Sequence, residues 1–162
     1  MTTRGILLAG CVIFLSLPVN AADKVSGVNK DLQVLSEVSS VIPDKPGHSF
    51  KQITETWKST GSGDLANNWV TAVEQNDIIG GDITLRGYGT SHTASGDLAY
   101  FSYEATYKVN PKDGGAFEMT GTGKFNWLGG TGKYQKLNGQ GTYTCKGNQA
   151  GIECPWQGEA QM

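Results

Sequence analysis

The chain is poor in the residues from which most metal and nucleophilic sites are built. Its 162 residues include two histidines, His48 and His92, and three cysteines. No HExxH, paired CxxC or acidic calcium loop occurs, so no metal and no cofactor is expected, and both histidines read as ordinary surface residues. No hydroxyl or thiol stands in a pattern that would make it an activated nucleophile. Charged residues make up 17% of the chain and its arginines are Arg4 and Arg86. With no basic block or stripe, nucleic acid and anionic membrane surfaces are not expected partners. Long apolar runs are missing too. The longest, Gly5 to Val19, has fifteen residues, short of the roughly 20 a spanning helix needs, and stable membrane insertion is not expected.

That run sits where an export signal would. Residues 1–21, MTTRGILLAGCVIFLSLPVNA, combine a positive charge at Arg4, an apolar core and small residues before a cut after Ala21, the three parts of a secretory signal peptide. A minor alternative is lipoprotein processing at Cys11, which follows Leu8-Ala9-Gly10. That cut would leave little apolar core before it and a strongly apolar stretch after it. Removal of residues 1–21 leaves a chain from Ala22 to Met162, with 12 basic residues against 15 acidic and Cys145 and Cys154 as its cysteines. A periplasmic or secreted location follows, and there a disulfide is the default for two cysteines.

What the sequence has in quantity is glycine, 23 residues. Two Gly-Thr-Gly-Lys runs, at 121–124 and 130–133, suggest a phosphate-binding loop. That loop needs a glycine five residues before the Gly of the Gly-Lys pair, a hydroxyl after the lysine and a helix beyond. Glu118 and Trp127 occupy the glycine positions, and Phe125 and Tyr134 the hydroxyl positions. Nucleotide binding is therefore excluded.

The glycines fit a β-barrel instead. From His48 onward apolar residues alternate at period 2 between Gly, Pro, Asn and Asp clusters. Strands are expected at 48–59, 68–75, 82–92, 97–109, 115–127, 131–137, 140–147 and 151–159. Eight strands without a convincing helix make an all-β barrel or sandwich. Phe117, Met119, Gly121, Gly123, Phe125 and Trp127 share one face, as do Ile83, Leu85, Gly87 and Gly89. Glycine on the inner face weakens a strand unless it permits tight curvature or leaves room for a ring, which a closed barrel uses. Residues 22–46 place Val28, Leu32, Leu35 and Val38 at near-helical spacing, a short amphipathic helix or an extended lead-in. The expected organisation is thus a signal peptide at 1–21, a lead-in at 22–46 and a barrel domain at 47–162. Strand 97–109 is apolar on both faces in part, so its outer face is expected to be covered by the lead-in or by another subunit.

The last hairpin has a consistent register. Around the turn Asn148-Gln149-Ala150-Gly151, Gly147 opposes Ile152, Cys145 opposes Cys154 and Tyr143 opposes Trp156. Directly opposed residues lie within disulfide reach, so Cys145 and Cys154 are expected to be bonded.

Candidate site residues are few. Glu55 shares a strand face with Ile53 and Trp57, and Glu104 shares one with Tyr100 and Ser102. Either carboxylate would be a general acid or base if it faced the lumen, and neither if it faced outward. Aromatics are the richer signal. An eight-stranded barrel is either just filled by side chains or holds one small ligand, and Trp57, Trp69, Tyr103, Phe117 and Phe125 are the candidates to line such a cavity.

The segment GTGKFNWLGGTGKYQKLNGQGTY, at 121–143, resembles the late strands of the allene oxide cyclase and dirigent-like β-barrel superfamily, above all its small exported bacterial members of unknown function. Gly96-Asp97-Leu98-Ala99-Tyr100-Phe101 and Pro43-Asp44-Lys45-Pro46-Gly47-His48 are similar to other recurring parts of those proteins. The resemblance is densest over 94–143 and implies an eight-stranded antiparallel barrel with a cavity at one end, a trimer in the plant relatives. No functional residue of the cyclase maps onto a position here, and the cysteine hairpin is not a feature of that superfamily. The sequence thus leaves three readings open: a binder of a small apolar or amphiphilic molecule, an isomerase or cyclase, and a protein-interaction module with a filled barrel.

Overall fold

The computed structural model describes residues 22–162; the signal-peptide reading and its Cys11 alternative lie outside the described residues. Eight antiparallel strands close into a barrel in chain order, with the first pairing with the last. They are β1 (Asp23–Val41), β2 (His48–Gly61), β3 (Asn68–Ile79), β4 (Asp82–Thr93), β5 (Leu98–Pro111), β6 (Phe117–Gly130), β7 (Gly139–Asn148) and β8 (Gly151–Ala160).

The expected all-β barrel is observed, but two of its segments differ from expectation. The lead-in is β1 itself, so the barrel begins at Asp23 rather than near residue 47. Its register slips between Lys30 and Gln33 and again between Val34 and Ser36. Each bulge adds one residue to the strand and breaks the period of two, which is why the apolar spacing looks helical. Residues 131–137 do not form a strand. Gly132–Tyr134 is a single 3-10 turn that buries Tyr134, with Leu137 buried three residues on. Neither does β1 cover the outer face of β5, where Tyr100 remains 37% exposed.

At one end of the barrel three connections are tied together by Asp64. Its carboxylate accepts hydrogen bonds from Lys133 Nζ at 2.7 Å, Ser95 Oγ at 3.0 Å and Tyr134 O–H at 3.2 Å. Lys133 and the other bonds hold that carboxyl below the usual carboxylate range. Leu65, Ala66, Tyr134 and Leu137 are buried with this knot and join the core. Toward the other end β1 leaves β8. Asp23–Asn29 pair with β8, whereas Gln33–Val41 pair with β2 alone, and a 2.7 Å ion pair between Lys30 and Glu153 stands where the strands part.

Inside, aromatic rings lie across glycines of the adjacent strand. Tyr103 faces Gly87, Phe101 faces Gly89, Tyr107 faces Gly121, Tyr143 faces Gly123 and Phe125 faces Gly141. A Cβ built on Gly89 would stand 2.2 Å from the Phe101 ring. Directly opposed side chains on a sheet are the natural contact pairs, and here one partner is only backbone. The expected Cys145–Cys154 disulfide is present in the anticipated register, flanked by Tyr143 opposite Trp156 and Gly147 opposite Ile152.

Gly89→Ala should lower the unfolding free energy by about 1–3 kcal/mol, the usual cost of overpacking. Glu104→Gln, on the exposed face of the neighbouring strand, should change it by no more than about 0.5 kcal/mol. Denaturant titration compares the two. Cys145→Ala with Cys154→Ala should cost about 2.5–3 kcal/mol in the same measurement, the chain-entropy value for a loop of that length.

Candidate functional site: an aromatic lumen with a buried acid pair

Side chains from all eight strands surround a cavity of about 90 Å³. That volume is several times what one water needs and small beside a drug-sized pocket. Trp57, Phe101, Tyr103, Phe125, Trp127 and Trp156 line it. Neighbouring rings meet mostly edge to face, with centroids 5.3 to 6.4 Å apart, the arrangement that ring quadrupoles favour. The cavity reaches Lys30, Leu32 and Ile152, where β1 and β8 part.

Two glutamates face this lumen, Glu55 from β2 and Glu74 from β3, 5% and 7% exposed. Glu74 accepts hydrogen bonds from Asn76 Nδ2 at 2.8 Å and from Tyr103 O–H at 3.1 Å. The two carboxyls are close enough that each acts on the other's ionisation. Burial, then the charge of Glu74, pushes the Glu55 carboxyl up to about 8. Burial raises Glu74 as well, but its donors, Asn76, Tyr103 and Glu55, work against the rise. The pair therefore favours keeping a proton on Glu55, because two carboxylates this close cannot both ionise cheaply. Tyr103, Tyr107 and Tyr143 are held protonated, chiefly by burial.

Some polar atoms in the lining stay unmatched. The indole N–H groups of Trp57 and Trp127 and the side-chain oxygen of Asn68 are buried and meet no partner among the described residues. Trp156 differs, since its N–H donates to Ser59 Oγ at 3.1 Å. Unmatched buried donors of this kind cost about 1–3 kcal/mol each and require an explanation.

The structure separates the residues singled out from the sequence. Glu55, Trp57, Tyr103 and Phe125 line the cavity together. Glu104 lies on the outer face, where its carboxylate meets Lys124 Nζ at 2.8 Å. Trp69 is also outward and 52% exposed, opposite Lys58 and His92. Phe117 points inward but lies beyond the cavity, half-buried near the end of β6. His92 bonds Thr71 on the outer surface, and His48 bonds Asp44 and Asp77. Sequence reasoning missed Glu74, although Val70, Ala72 and Glu74 share one strand face. It also missed Phe101, Trp127 and Trp156 as lining residues. Among the described residues no group of three His, Cys, Asp or Glu converges as a metal site would require.

Between about 4.5, where an ordinary glutamate loses its proton, and about 8, where Glu55 does, the folded chain binds more protons than the unfolded one. Stability should therefore fall as pH rises through that window. Glu55→Gln keeps a donor toward Glu74 and cannot ionise, so it should flatten the fall and exceed the parent in stability at about pH 8. Thermal unfolding across the window tests this; profiles that run parallel for the two proteins would contradict the assignment.

No family model matches the chain, and neither does any curated protein. Among solved structures it is similar to a protein of unknown function from Clostridium acetobutylicum ATCC 824, with a TM-score of 0.51 at 12% identity over 85% of this chain and 98% of that one. A likeness at that identity shows the shared fold.

Proposed function

We propose that the protein is an exported barrel that binds a small apolar or amphiphilic molecule in its lumen. The carrying observation is the ring-lined cavity beside the parting of β1 and β8, a concave, mostly apolar site with a few convergent polar groups. Export is supported by the leader-like composition of residues 1–21 and by the disulfide, which suits an oxidising compartment. The resemblance to the allene oxide cyclase and dirigent-like superfamily agrees with a cavity-bearing barrel. Trimer formation, expected from the same resemblance, is a further proposal. The outer face mixes exposed rings such as Trp69 and Tyr88 with polar pairs, Arg86 bonded to Gln75 and Glu104 paired with Lys124.

A catalytic reading has one observation in its favour, the buried Glu55 carboxyl beside the cavity, which burial pushes up to about 8. A lumen carboxylic acid of that kind suits acid or base assistance, but fold alone does not assign a reaction. The filled-barrel reading is disfavoured by the cavity itself.

Thermal unfolding and tryptophan fluorescence with a panel of single-ring and short-chain lipophiles test the binding reading. A ligand at about a hundred times its Kd adds about 2.7 kcal/mol, which for a domain of this size is about 8–10 °C in Tm. Trp57 lines the cavity, so its emission should change with the same ligand. An unmoved Tm and unchanged emission across the panel would overturn the proposal.

A further inference from the structure

We infer that the lumen takes a small organic cation, a protonated amine whose ammonium group meets the Glu55–Glu74 pair and whose oxygen accepts from the Trp57 or Trp127 indole N–H. This rests on the small-molecule reading above and narrows its chemistry.

Charge is the first reason. Among the cavity-lining residues the acids are Glu55 and Glu74, and the single base is Lys30, whose ammonium is already bound to Glu153 at 2.7 Å. The interior therefore holds two acids with no free cation of its own beside them. A charge held this way costs several kcal/mol, and the bonds from Asn76 and Tyr103 offset part of that cost. An anionic ligand would add like charge, and a neutral one would leave the charge uncompensated. A cation relieves it in a medium where Coulomb attraction is strong.

The rings are the second reason. Eight aromatic side chains surround the same space, and their negative faces attract ammonium groups by about 0.5–2 kcal/mol each when water is excluded. Third, the Trp57 and Trp127 N–H groups are unpaired donors, both residues being more than nine-tenths buried. A cation alone leaves them unmatched, whereas a hydroxyl or carbonyl oxygen on the same ligand satisfies one, and a ligand hydroxyl suits the free Asn68 oxygen. Finally, about 90 Å³ admits one ring or a short branched chain.

Binding should follow the charge of the acid pair. The titratable groups facing that pair are Tyr103 and Tyr107 from β5, Tyr143 from β7 and Lys30 from β1; β4, β6 and β8 contribute none to the lining. Burial keeps the three tyrosines neutral, so the carboxyls alone change state between acid and neutral pH.

Titration calorimetry with matched pairs of equal shape, 2-phenylethylamine against 2-phenylethanol and isobutylamine against isobutanol, tests the inference. At about pH 8 at least one amine should bind about tenfold or more tighter than its alcohol. That preference should shrink toward about pH 5 as the pair is neutralised, while the alcohol's affinity stays flat. Glu55→Gln combined with Glu74→Gln should bring the amine to the alcohol's affinity and leave the alcohol within about twofold. Glu55→Gln should retain the preference, since Glu74 keeps its charge. The pH series on the unaltered protein decides the matter if the double variant does not fold. An alcohol that binds as tightly as its amine would overturn the cation inference and leave the small-molecule reading standing. Failure of all four compounds to bind would overturn the inference, and the lipophile panel would then decide the broader reading separately.

Discussion

The contact on which this barrel depends is an aromatic ring laid across a glycine of the next strand. Five such pairs recur between β4, β5, β6 and β7, and Trp156 lies against Gly27 where β8 meets β1. A side chain on any of these glycines would occupy the ring's place. With glycine there, the ring lies along the wall instead of standing into the lumen, and the sheet gains apolar burial where bare backbone would otherwise be exposed. Two consequences follow at once: strong curvature is possible, and the centre is left neither filled nor wide open. The cavity of about 90 Å³ is what remains when the rings lie back.

Closure at the ends is handled differently. Asp64 draws three connections together at one end and buries Leu65, Tyr134 and Leu137 beneath them. Toward the other, β1 leaves β8: Gly27–Asn29 pair on both sides, and from Gln33 onward the strand pairs with β2 alone. The bulges around Lys30 and Val34 turn the strand away from β8, and Asp31, with φ of 57°, sits in the first of them. The opening of the lumen is therefore a property of one irregular strand rather than of the regular wall. Val34, Leu35, Val38 and Val41 are exposed along the part that has left the barrel.

Within this frame the acid pair is an energetic anomaly. Glutamates are among the residues least often buried, and two of them close together inside an aromatic core lower stability whenever both are ionised. Asn76 and Tyr103 are positioned to support Glu74, which makes the arrangement a built network rather than an accident of packing. Polar groups retained at a stability cost are where function is commonly found.

Much of the fold was legible because a two-residue period needs only local order. The last hairpin, its register and the disulfide followed from Cys145, Cys154, Tyr143 and Trp156 standing at equal distances from one turn. The glycine-bearing faces of β4 and β6 were visible for the same reason. Three features were not. The bulges of β1 imitate helical spacing, and Tyr134 and Leu137 belong to a turn whose three-residue spacing is too short to read. On β3 both faces carry apolar groups, Trp69 and Val73 on one and Val70 and Ala72 on the other, so alternation could not choose between them. Pairing with β2 and β4 turns Trp69 outward and Glu74 inward. The sequence by itself determined seven of the eight strands, the barrel class and the disulfide, since each rests on contacts between neighbours along the chain. Only the tertiary structure decided that β1 closes the barrel and that Glu55 and Glu74 share the lumen. Those outcomes depend on which faces meet across the barrel, and no local period carries that information.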